Sequence, residues 1–184
     1  LVQILYHRGD YDRAEVESRE LVDARCAAIG PNHPETLVAK QTLCVILGVN
    51  GKSQEAVELC GEVADEQERQ LGPEHADYLA TLNTLAVFLE DVGRLEEGED
   101  VRRKVLAVRA KTLGAEHPDT IRAESNLAAV LITRKNVAEA RPLAEHVVEL
   151  APRAFGEDHL DTLKALSRLG SVFCDEALYT EGLV

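Results

Sequence analysis

Gly30-Pro-Asn-His-Pro-Glu-Thr36 recurs as Gly72-Pro-Glu-His-Ala-Asp-Tyr78, Gly114-Ala-Glu-His-Pro-Asp-Thr120 and Gly156-Glu-Asp-His-Leu-Asp-Thr162. The glycines stand 42 residues apart each time, and so do His33, His75, His117 and His159, with no gap. A fixed period of this size marks an array of stacked supersecondary units. Pro34 and Pro118 suit a first helical position, where a missing N–H costs nothing. Glu35, Asp77, Asp119 and Asp161 fall in the first turn, against the positive end of the helix dipole. Each stretch therefore opens a helix, here termed helix A.

Helix A carries an apolar stripe at helical spacing. It reads Leu37, Leu43, Cys44, Ile46, Leu47 in the first copy and Leu79, Leu82, Leu85, Ala86, Phe88, Leu89 in the second. The third gives Ile121, Leu127, Ala128, Val130, Leu131, and the fourth Leu163, Leu166, Leu169, Gly170, Val172, Phe173. One column is always small: Cys44, Ala86, Ala128, Gly170. Small residues in register predict that another helix comes close there. Gly9, Gly51 and Gly93 repeat at the same period and predict left-handed turn positions after helix A. Lys135 and Ala177 occupy the next two equivalents, and Asn136 is expected to supply the left-handed residue of the first. Helix B then follows, with a second small column of Ala14, Ala56, Gly98 and Ala140. Its apolar residues are Leu59, Val63, Ala64 and Leu71, then Val101, Val105, Leu106 and Leu113, then Leu143, Val147, Val148 and Phe155. Each helix B is expected to end at the next linker glycine.

With 45% apolar residues, 4% aromatic and no Trp, the core must be aliphatic. The net charge of −13 disfavours nucleic acids and anionic membranes and favours a neutral or basic partner. Acidic runs such as Glu15, Glu17 and Glu20, or Glu96, Glu97, Glu99 and Asp100, read as solvated helix faces. Cys26, Cys44, Cys60 and Cys174 form no Cys-x-x-Cys pair and read as free thiols, which suggests a reducing, cytoplasmic setting. No apolar run reaches the roughly 18 residues of a membrane span. The chain has no Met, and we read it as a piece of a longer protein.

No phosphate-binding glycine loop and no nucleophile elbow occur, so no catalytic centre and no cofactor are expected. The linker histidines are expected to cap or bridge the turns rather than to bind metal. Repeat-equivalent atoms are separated by roughly 10 Å per helix packing, against about 2 Å for a Zn–N bond. His7 and His146 have no evident partner in sequence.

In its small columns and helix A leucines the sequence resembles the tetratricopeptide repeat family. Leu113-Gly-Ala-Glu-His-Pro-Asp-Thr120 and the 42-residue period resemble the kinesin-light-chain subtype, which also occurs in fungal and bacterial proteins with an upstream nucleotide-binding domain. Lys40, Leu47 and Leu89 stand where that family carries aromatics. The resemblance implies an all-α, right-handed superhelix of antiparallel helix pairs. The expected division is a partial repeat over 1–29, complete repeats over 30–71, 72–113 and 114–155, and a truncated repeat over 156–184. Both ends lack a polar capping helix, which leaves room for self-association.

The resemblance also places helix A on a concave face that binds a protein or peptide. The side chains expected there include Gln41, Val45, Asn83, Val87, Arg122, Ser125, Asn126, Lys164, Ser167 and Arg168. Arg122 with Asn126 and Lys164 with Arg168 are i, i+4 pairs. Asn126, Lys164 and Arg168 match a pattern with which some relatives clamp a terminal carboxylate. Asn83 and Val87 depart from it. The expectation is a local anion site for an acidic side chain or chain terminus, unless Glu124 and Asp161 neutralise the cations. Two alternatives stay open: a sensor or oligomerisation arm of a signalling NTPase, as the relatives with nucleotide-binding domains suggest, and a regulatory domain appended to an enzyme.

Overall fold

The computed structural model describes residues 2–181, and side chains over residues 2–174. Leu1 and residues 182–184, the outer ends of the two partial repeats, lie outside the described residues. Among the described residues every regular element is an α-helix. The A helices are α1 (Val2–His7), α3 (Pro34–Val49), α5 (Ala76–Asp91), α7 (Pro118–Thr133) and α9 (Leu160–Glu181). The B helices are α2 (Tyr11–Ile29), α4 (Ser53–Leu71), α6 (Leu95–Leu113) and α8 (Val137–Phe155). The chain forms two compact units, Leu1–Arg94 and Leu95–Val184, so the boundary falls between α5 and α6. Within the first unit α1 to α5 pack each on the next, and within the second α6 to α9 do the same. Each unit also brings A helices together, α3 with α5 and α7 with α9.

The linker explains its own motif. The imidazoles of His33, His75, His117 and His159 each accept, at Nδ1, the backbone N–H of the acidic residue two positions on, at 3.1–3.2 Å. They cap helix A as a Ser or Asp would, with the ring proton left on Nε2. Thr36 Oγ1 donates to the Gly30 carbonyl at 2.8 Å, and Thr162 Oγ1 to that of Gly156 at 2.7 Å. Tyr78 and Thr120 are buried at the same register position, the Thr120 hydroxyl without a hydrogen-bond partner.

Small residues let the helices close. Cys44, Ala86 and Ala128, and Ala14, Ala56 and Ala140, are all fully buried. In the second unit the core gathers Leu127, Leu131, Val137, Ala140, Ala144 and Val172, with Ile121, Val147, Ala151 and Ala165 beside it. Gly48 admits the Phe88 ring, which would lie 1.9 Å from a Cβ at that position.

Three expectations are corrected. On α9, Leu163, Leu166 and Phe173 are about half exposed, and a Cβ on Gly170 would meet nothing within 4 Å. Among the described residues no B helix follows α9 to cover that stripe. Leu71 and Leu113, at their helix ends, stay exposed. Glu15 and Glu99 are not solvated: they are only 6% and 7% exposed. Glu15 accepts from Lys52 Nζ at 2.7 Å, Asn50 Nδ2 at 2.8 Å and Arg19 Nε at 3.0 Å. These donors, Lys52 foremost, hold its carboxyl down at about 2 against burial. Two periods on, Glu99 receives Arg103 and Arg134. Burial raises the Glu99 carboxyl, and the two guanidinium groups bring it below the ordinary range.

The turns after helix A also differ from expectation at one residue. Lys135, not Asn136, takes the left-handed conformation, at φ 61°, where Gly51 and Gly93 stand at 78° and 80°. The reason is the hydrogen-bond pattern. Lys135 N–H donates to Ile132 O and Asn136 N–H to Leu131 O, both at 2.9 Å, as Gly93 and Arg94 do to Glu90 and Leu89. This paired closure requires its left-handed residue at that position whatever the side chain. Gly93→Ala should therefore cost about 1 kcal/mol in urea unfolding, and Lys135→Gly should stabilise by up to about the same amount. Equal and opposite behaviour at the two sites is the expected result.

Glu15→Gln should destabilise by about 1–3 kcal/mol at neutral pH. A depressed folded pKa contributes stability above the ordinary value of 4.5 that is lost as pH falls toward about 2. The difference between the two proteins in thermal unfolding should accordingly shrink across that window.

Candidate functional site

In the second unit, α7, α8 and α9 enclose a cavity of about 220 Å³. Ile121 and Val147 form its apolar part, with Phe155 from the end of α8. Five of the expected residues line it: Arg122, Ser125, Asn126, Lys164 and Arg168. Spacing of i, i+4 on two adjacent A helices brings these side chains together. Ser167 is exposed and does not line the cavity.

The cations are not equivalent. Arg122 Nε donates to Asp161 Oδ2 at 2.7 Å, and its Nη1 to Asp119 Oδ1 at 3.1 Å. The guanidinium also lies over the Phe155 ring, 4.8 Å from its centroid, and His159 stacks on the same ring at 5.4 Å. Burial would raise the Asp161 carboxyl, but Arg122, with His159 and Lys164, holds it below the ordinary range. The Asp161 hydrogen bond in turn raises Arg122. Arg122 is thus committed within the fold, as the expectation of neutralisation had it for Asp161. Glu124 goes elsewhere: it is 8% exposed and pairs with His146 Nδ1 of α8 at 2.9 Å, giving that histidine its partner. Arg168 Nη1 donates to the buried Ser125 hydroxyl. Lys164 is exposed at the cavity wall.

The first unit holds a separate cavity of about 270 Å³ between α3, α4 and α5. Gln41 and Val45 line it, with Val38, Thr42, Thr81 and Cys60. Gln41 Nε2 donates to Thr81 Oγ1, which itself donates to Gln67 Oε1 at 2.7 Å. Val45 also borders a small apolar cavity beside Val2 and Tyr6 of α1. Asn83 and Val87 are not among its lining residues; the Asn83 amide donates to Leu79 O of its own helix at 3.0 Å. Cys44 and Cys60 share a side-chain hydrogen bond, which together with burial pushes the Cys44 thiol far up.

Phe155 was missed as a cavity residue, because it reads as a core position of helix B. Among the described residues no cluster of three or more His, Cys, Asp or Glu is placed to hold a metal ion. No helix among them is long and apolar enough to cross a membrane.

Profile comparison matches the tetratricopeptide repeat over residues 77–152 and 120–179, and again over 1–35. The chain belongs to the tetratricopeptide repeat family. Two crystal structures of a Podosopora anserina kinesin light chain with nearly identical TPR-like repeats, one of them of a substituted variant, are 27% identical to it. They superpose with TM-scores of 0.86 and 0.85 over 98% of this chain and 85% and 86% of theirs. BtubC (BKLC) from P. vanneervenii, 17% identical, matches with a TM-score of 0.80 over 96% of this chain and 70% of its own, and bears on the fold alone. No curated protein matches the sequence. The tetratricopeptide chain is thus an all-α repeat of the kinesin-light-chain-like kind, a protein-interaction scaffold by family.

Proposed function

We propose that this chain is a protein- or peptide-binding adaptor that works through the exposed face of its A helices, and that the cavity between α7 and α9 receives an acidic side chain or chain terminus of the partner. One observation carries the reading. Three cations, Arg122, Lys164 and Arg168, line that cavity against one carboxylate, Asp161, in a chain of net charge −13. Arg122 is held by Asp161 and Asp119. Lys164 and Arg168 are the charged donors assigned to the partner, with Asn126 supplying a neutral N–H. The first-unit cavity, with its apolar Val38 and Val45 and its Thr42 and Thr84 hydroxyls, suits less charged parts of a bound chain. No catalytic role is assigned. The free cysteines fit a reducing compartment, taken here as the cytoplasm.

Lys164→Ala with Arg168→Ala should weaken a peptide ending in acidic residues by about ten-fold or more, since charged hydrogen bonds contribute about 1.5–3 kcal/mol each. Asp161→Asn, which removes the competing carboxylate, should tighten it. Fluorescence anisotropy at low salt measures both. Unchanged affinity in the double variant would overturn the reading.

A further inference from the structure

On the opposite helices of the first unit, α2, α3 and α4 enclose a groove of about 310 Å³. Its floor is apolar, made by Val22, Leu43 and Leu59, and its rim carries Asp23, Glu58 and Glu62, all three exposed. At one end Arg19 bridges Glu15 and Glu55, at 2.9 and 2.7 Å.

The repeat separates what the fold needs from what it does not. Two periods on, the floor residues become Leu106, Leu127 and Leu143, still apolar. The Arg19–Glu55 bridge becomes Arg103–Glu139, closed at 2.6 Å. Floor and bridge therefore recur in the helix packing of the second unit. Asp23, Glu58 and Glu62 become Ala107, Pro142 and His146. The packing works without these carboxylates. Where they occur, they make no ion pair among the described residues; Glu58 accepts only the Gln54 amide of its own helix, at 3.0 Å. With Glu55 answered by Arg19, three negative charges face one apolar groove.

We infer that the α2–α4 groove is a second interaction surface, distinct from the A-helix face, and that it takes a basic segment of a partner protein. A Lys or Arg fits both halves of the groove, its alkyl stem over Val22 and Leu59 and its charged head among Asp23, Glu58 and Glu62. A neutral apolar segment would leave the rim unanswered, and an acidic one would be repelled.

The test uses the full chain and a labelled, acetylated and amidated hepta-arginine peptide at low salt. Asp23→Asn, Glu58→Gln and Glu62→Gln together should weaken binding about ten-fold, since each exposed pair is worth up to roughly a factor of five. A control removes the same charge at Glu149, Glu157 and Asp158, exposed in the second unit, and should lose less than two-fold. The methyl resonances of Val22 and Leu59 should shift on addition of peptide. Equal losses in the two triple variants, no loss in the first, or unmoved methyl resonances would each overturn the inference. None of these outcomes bears on the α7–α9 cavity, which the acidic peptide tests alone.

Discussion

The linker between one helix pair and the next is the constraint on which the structure depends. A histidine caps each following A helix through Nδ1, a glycine at positive φ ends each preceding B helix, and in two linkers a threonine hydroxyl ties the two together. This short closure fixes where helix A begins relative to helix B. Once that is fixed, the small columns face their neighbours within each unit, and helices close to full burial at Cys44, Ala86 and Ala128. A helix pair cannot bury both of its faces alone, so stacking follows from the same register.

Charge is distributed by the same geometry. Glu15 and Glu99 are drawn into the packing because Lys52 and Arg134, from the turn after the next A helix, answer them. Burying one carboxylate unpaired would cost several kcal/mol, so these contacts tie α2 to the turn after α3 and α6 to the turn after α7. What remains is sorted by helix type. In the second unit the A helices α7 and α9 surround a cavity with more cations than carboxylates, and in the first unit the B helices α2 and α4 present carboxylates over an apolar floor.

The helices and their ends were legible because each signal recurs at one period: a glycine, a histidine and a small residue, all 42 apart. The partners of single charges were not legible in the same way. Glu15 looks like Glu17 and Glu20 in sequence, and only its recurrence as Glu99 two periods on marks it as structural. The turn at Lys135 was misplaced because residue type suggested Asn136, while the backbone hydrogen bonds fix the left-handed position. At the candidate site, i, i+4 spacing gave the cluster of Arg122, Asn126, Lys164 and Arg168. It could not show that Arg122 is held by Asp161 and Asp119, nor that Phe155 of another helix completes the wall.

The most direct test of an adaptor working through its A helices is a backbone and side-chain resonance titration with a peptide bearing a free acidic terminus. The largest shifts should fall on α7 and α9, at Asn126, Lys164 and Arg168. Shifts confined to the B helices α6 and α8, or spread evenly over the chain, would contradict this reading.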